Sequence, residues 1–133
     1  MLDIEYGFTR TLQGVSYESA RARIETALKV EGFGVLTEID VKATLKAKLD
    51  QDFPNYVILG ACNPTLAFQA LSVDPGIGLL LPCNVVVTED AKSNAVVSIL
   101  DPESMLSVVG DAPQLRELMS EARTRLQRAL DKA

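Results

Sequence analysis

From Val57 to Thr88 the chain runs through its densest apolar segments: Val-Ile-Leu-Gly-Ala-Cys-Asn-Pro, then Thr65 to Asp74, then Pro-Gly-Ile-Gly-Leu-Leu-Leu-Pro-Cys-Asn-Val-Val-Val-Thr. No apolar run in it reaches the roughly 18 residues of a membrane-spanning helix. Pieces of strand and helix length, cut by Pro and Gly, must instead bury one another in a water-soluble core. The stretch also holds both cysteines and the dipeptide Cys-Asn twice, as Cys62-Asn63 and Cys83-Asn84.

At 133 residues and 47 % hydrophobic content, the chain has enough apolar side chains for one core without disulfide or metal staples, so a single domain over residues 1–133 is expected. The formal net charge is −5 and the basic residues are scattered. No positive stripe offers the counterion release that drives nucleic-acid binding, so neither nucleic acid nor membrane is expected as a partner. The opening Met-Leu-Asp-Ile-Glu-Tyr has acids where a signal peptide has bases, and the expected compartment is the cytoplasm. Two cysteines make no disulfide framework in a chain of this length. Histidine is absent, which removes Ser-His-Asp and Cys-His catalysis and imidazole metal ligands.

Alternation predicts a strand over Ile4 to Leu12, followed by a turn at Gly14. Ser16 reads as the cap of a helix through Val30, with Ala20, Ile24, Ala27 and Leu28 on its apolar face and Gly32 as its left-handed stop. Phe33 to Ile39 reads as a strand, and Asp40 as the cap of a short helix bearing Val41, Leu45 and Leu49. Tyr56 to Ala61 reads as a buried strand, after which Asn63-Pro64 starts a helix. Ile77 to Leu81 is a further apolar run of strand length, and Pro82 breaks it from Val85-Val86-Val87. Ala95 to Leu100 completes a hairpin. Asp101-Pro102 starts a short helical turn, and Asp111 to Leu130 is the longest helix, with Leu115, Leu118, Ala122, Leu126 and Ala129 in one stripe. The order predicts an α+β fold, a mainly antiparallel sheet with helices packed on it, with a doubly wound α/β arrangement as the alternative.

The chemistry centres on Cys62, which falls where a buried strand hands over to a helix, because amides at a helix N-terminus favour a thiolate. If the strands bearing Cys62 and Cys83 are neighbours, Cys62, Asn63, Cys83 and Asn84 line one cleft suited to a polar small molecule. Lys46, which shares a face of its helix with Lys42, is placed at the rim as an electropositive lip. Each residue also has a plain structural role: the cysteines as small buried hydrophobes, Asn63 as a cap, Asn84 fixing a bulge after Pro82, and Lys46 as a solvated charge. Glu38 and Asp40 form a thin candidate acid-base pair. No nucleotide-binding, metal or Cys-x-x-Cys motif is present, so no metal site is expected and no cofactor is implied.

The blocks Thr37-Glu38-Ile39-Asp40-Val41-Lys42-Ala43-Thr44-Leu45-Lys46, Ile58-Leu59-Gly60-Ala61-Cys62-Asn63-Pro64 and Ile77-Gly78-Leu79-Leu80-Leu81-Pro82-Cys83-Asn84-Val85-Val86-Val87 resemble the signatures of the bacterial and archaeal family catalogued as domain of unknown function 302. The resemblance implies a compact α+β domain and a homodimer, and it carries over no catalytic residue. Three functions are therefore expected in turn: binding or sensing of a small molecule near the two Cys-Asn pairs, thiol redox chemistry using Cys62 with Cys83, or structural dimerisation.

Overall fold

The computed structural model describes residues 4–110 and 112–133. Five strands, β1 (Gly7–Leu12), β2 (Gly34–Asp40), β3 (Tyr56–Cys62), β4 (Cys83–Glu89) and β5 (Ala95–Leu100), form one sheet in the order β1-β5-β4-β3-β2. Every neighbouring pair is antiparallel. Helices are α1 (Tyr17–Val30), α2 (Val41–Leu49), α3 (Pro64–Val73), α4 (Leu106–Val109) and α5 (Pro113–Lys132), with 3-10 turns at Pro75–Leu80 and Pro102–Met105. This is the antiparallel α+β architecture expected from the order of elements. Among the described residues no helix is long and apolar enough to cross a membrane.

Local chemistry fixes the element ends. Ser16 accepts from the Ser19 amide, Asp40 from Ala43, Asn63 from Leu66 and Asp101 from Glu103, so four expected caps hold their turns. At the end of α1, Gly32 takes φ +83° while its amide reaches Lys29 O and that of Phe33 reaches Leu28 O. This paired capping drives Phe33 inward, where it is buried. Asp111 lies outside the described residues, and α5 begins at Pro113.

One expected element differs. Ile77 to Leu81 is apolar enough for a strand, yet Pro75–Leu80 coils into a 3-10 helix in which Asp74 accepts from the Gly76 amide. Pro75 sets the helical φ and the side chain of Asp74 supplies the first acceptor, so local turn chemistry overrides hydrophobicity. The peptide bond Leu81–Pro82 is cis, and β4 starts immediately after it at Cys83.

Strand alternation sends Val57, Leu59 and Ala61 of β3, and Cys83, Val85 and Val87 of β4, to the face covered by α1 and α5. There they join Ile24, Leu28, Val97, Ile99 and Leu126 in the larger hydrophobic cluster. A second cluster, built from Ala70, Ile77, Met105, Leu115 and Met119, gathers between α3, the two 3-10 turns and the first half of α5. The two clusters share α5 but meet only in part. Arg128 binds Glu31 through Nε and Nη2 at 3.0 and 2.9 Å, tying α5 to the end of α1, while Arg10 of β1 donates to the Leu130 and Asp131 carbonyls at the end of α5.

Candidate functional site

Between the two clusters lies a cleft of about 340 Å³. Its sheet-side wall comes from Phe33, Leu36 and Thr37, from Ala61 and Cys62 of β3, and from Cys83 of β4. Leu66, Ala67, Ala70 and Leu71 of α3 form a second wall, and Leu118, Met119 and Ala122 of α5 a third, with Met105 and Pro102 beside them and Leu81-Pro82 at the border. The space persists because facing positions are small. Ala61, Ala67, Ala70 and Ala122 leave a volume that their larger neighbours do not fill, and close packing fails locally.

Among the described residues no ionised side chain lines this cleft. The residues of its lining that carry polar side chains are Thr37, Cys62, Asn63 and Cys83. Asn63 is only 5 % exposed and spends Oδ1 on the Leu66 amide at 3.1 Å. Thr37 is exposed, and its place opposite Gly60 puts its side chain on the face of the sheet away from α1 and α5. It pairs with Gly60, whose missing Cβ would collide with Thr37 Oγ1 and come within 2.7 Å of Pro82 Cγ. Only glycine allows that approach.

A family model described as a domain of unknown function, DUF302, matches residues 8–133. The chain belongs to the DUF302 family. The crystal structure of an uncharacterized conserved DUF302 protein from Bacillus stearothermophilus is similar to it, with a TM-score of 0.87 and 30 % sequence identity, covering 97 % of this chain and 98 % of that one. No curated protein matches the chain.

Of the residues singled out from the sequence, this DUF302 chain brings Cys62, Asn63 and Cys83 to the cleft and leaves Asn84 and Lys46 elsewhere. Strands β3 and β4 are neighbours, with Ala61 opposite Cys83 and Gly60 opposite Asn84. The two-residue period that turns Cys83 to the helices turns Asn84 to the reverse face, where it is exposed. Lys46 sits on α2, which joins β2 to the start of β3, whereas Cys62 ends β3, so about 20 Å of strand separates the two levels. Its Nζ pairs with Asp50 at 3.0 Å and Asp52 at 3.3 Å. Glu38 pairs with Arg21 and Asp40 caps α2, so both carboxylates have structural partners.

Thr37, Met119 and the four wall alanines were not singled out for the site. One signal for the cleft was present: from Phe53 to Thr88 the only charged residue is Asp74, and alanines recur along α3 and α5 where larger side chains would close the core. The expected thiolate activation at α3 also loses force. Pro64 has no N–H and the Leu66 amide is taken by Asn63, which leaves Thr65 alone of the first three helical amides.

The two thiols differ in setting. Cys83 is buried, and its pKa is pushed up to about 11, first by burial and then by the neighbouring Cys62. Cys62 is only half-buried. Iodoacetamide at pH 8.5 is therefore expected to label Cys62 in the native protein and spare Cys83 until the chain unfolds; peptide mapping that finds equal labelling would contradict this. Because the folded chain holds the Cys83 proton more tightly than the unfolded chain does, its contribution is full below the ordinary thiol value of 9.0 and is lost as pH rises toward 11. Urea unfolding midpoints should fall over that window, and Cys83→Ala should flatten the fall.

Proposed function

We propose that this chain binds a small, largely apolar molecule in the cleft between its two hydrophobic clusters. The observation that supports the reading best is a cleft of about 340 Å³, within the usual range of ligand sites (about 300–1,000 Å³), whose walls carry no charge among the described residues. The polar ligand expected from paired Cys-Asn dipeptides fits this wall less well, because Asn63 is committed to its helix and Asn84 faces away. The dithiol reading is weaker for a similar reason: burial keeps Cys83 protonated, and a resolving thiol needs access.

Filling the cleft tests this directly. Ala67 lines it without being fully buried, so Ala67→Phe places a ring in the space at little cost to the core. The neutral dye N-phenyl-1-naphthylamine should bind the unmodified protein saturably, with fluorescence enhancement, and Ala67→Phe should weaken that binding about tenfold or more, the equivalent of about 1.4 kcal/mol. No saturable binding, or equal binding by the variant, refutes the reading.

A second reading, self-association as a homodimer, is supported by a patch beside the cleft. Phe68 of α3 is 72 % exposed, Leu79 is 92 % exposed and Leu36 70 %, and α3 carries no charged residue. In a two-fold interface each residue near the axis faces its own copy, so a chain of net charge −5 pairs most easily through neutral surface. Sedimentation equilibrium should show dimers that Phe68→Glu converts to monomers with an unchanged circular dichroism spectrum. Monomers throughout, or dimers indifferent to Phe68→Glu, place no partner on this patch.

A further inference from the structure

Sulfur is concentrated in the cleft. The chain has two cysteines and three methionines; Met1 lies outside the described residues, and Cys62, Cys83, Met105 and Met119 all line this one space. They come from β3, β4, the second 3-10 turn and α5, so tertiary packing and no local motif brings them to it. We infer that the ligand is a neutral aromatic molecule of one or two rings, held by contacts of its ring with the buried sulfur side chains and with Phe33. This rests on the cleft being a binding site.

Thioether and thiol sulfur is polarisable, and a favourable contact with an aromatic ring tightens binding by roughly two- to tenfold. Cys83, Met105 and Met119 are buried, so water competes little for those contacts. Phe33 is buried on the same lining, and aromatic pairs gain beyond the area they bury. An alkyl chain meets these walls too, but it gains from burial alone. Methionine also fills irregular gaps in ordinary cores, a role that leucine takes over with little loss. The two roles therefore respond differently to replacement of Met105 and Met119 by leucine.

Shape and charge agree with a flat, neutral guest. Ala67 and Ala70 of α3 form one helical wall and Ala122 of α5 belongs to another, and methyl side chains give such walls little relief. A planar ring lies against a wall of this kind more closely than a puckered saturated ring does. The volume of about 340 Å³, near the lower end of ligand sites, suits one or two rings and not a larger fused system. Among the described residues no ionised side chain lines the cleft, so a charged substituent on the ring would be desolvated without a counter-charge.

The test is displacement of N-phenyl-1-naphthylamine from the full chain at pH 7.5 by 2-phenylethanol and by 2-cyclohexylethanol, which share carbon count and hydroxyl and differ only in the ring. The saturated ring has the larger apolar area, so burial alone makes it the better competitor. The expected result is the reverse, with 2-phenylethanol competing roughly two- to tenfold better. In the double variant Met105→Leu with Met119→Leu, which nearly conserves volume, that preference should disappear. On the unmodified chain, the ring current of 2-phenylethanol should also move the Met105 and Met119 methyl signals further at saturation than 2-cyclohexylethanol does. If the dye binds and the saturated compound competes equally or better, if the leucine variant keeps the preference, or if the two compounds shift the methyl signals alike, the aromatic assignment is wrong while the cleft stands as a site. If the dye itself does not bind, the site falls and the inference with it.

Discussion

Incomplete merging of two hydrophobic clusters is the constraint on which the rest of this structure depends. The larger cluster is fixed by β-branched residues of the central strands against α1 and α5, the smaller by Met105, Leu115 and Met119 against α3 and the 3-10 turns. Between them stand alanines, on β3, α3 and α5 alike, and an alanine side chain cannot reach across. Closing such a gap would gain dispersion contacts, so a chain that keeps it forgoes stability at that place. The cleft is thus a property of side-chain size at facing positions, and the antiparallel sheet only brings those positions together.

The sheet decides what the cleft wall contains. Strand β3 ends at Cys62 and the chain turns at once into α3, so the last strand residues and the first helix residues share one corner. Pairing of Ala61 with Cys83 brings the second thiol there, and the same register excludes Asn84. Across β3 on its other side, Gly60 admits Thr37 close to the strand, on the face away from α1 and α5. The two thiols and the Asn63 cap therefore collect at the sheet end, and the helical walls remain apolar.

Much of the fold was legible in the sequence, because it is written in local chemistry. Side-chain acceptors at Ser16, Asp40, Asn63 and Asp101 mark helix starts, prolines at 64, 102 and 113 follow the same logic, and Gly32 marks a stop. Ile77 to Leu81 was misleading, since its hydrophobicity suits a strand while Asp74-Pro75-Gly76 favours a tight helical turn. The site was legible only in part. That Cys62 and Cys83 share a wall depends on β3 and β4 being neighbours, which the order of elements allows without fixing. That Asn84 turns away and Lys46 lies at the far end depends on register and strand direction, which no local motif encodes.

Uptake of an uncharged apolar molecule into the space between the clusters is what the proposed function requires. The chain has three methionines, and two of them, Met105 and Met119, line the cleft. Methyl-labelled methionine NMR during titration with 1-octanol therefore reads the site itself. Saturable shifts of the Met105 and Met119 methyl signals with a common midpoint are the expected result. Signals that stay in place, or that drift linearly with added octanol without saturating, would contradict it.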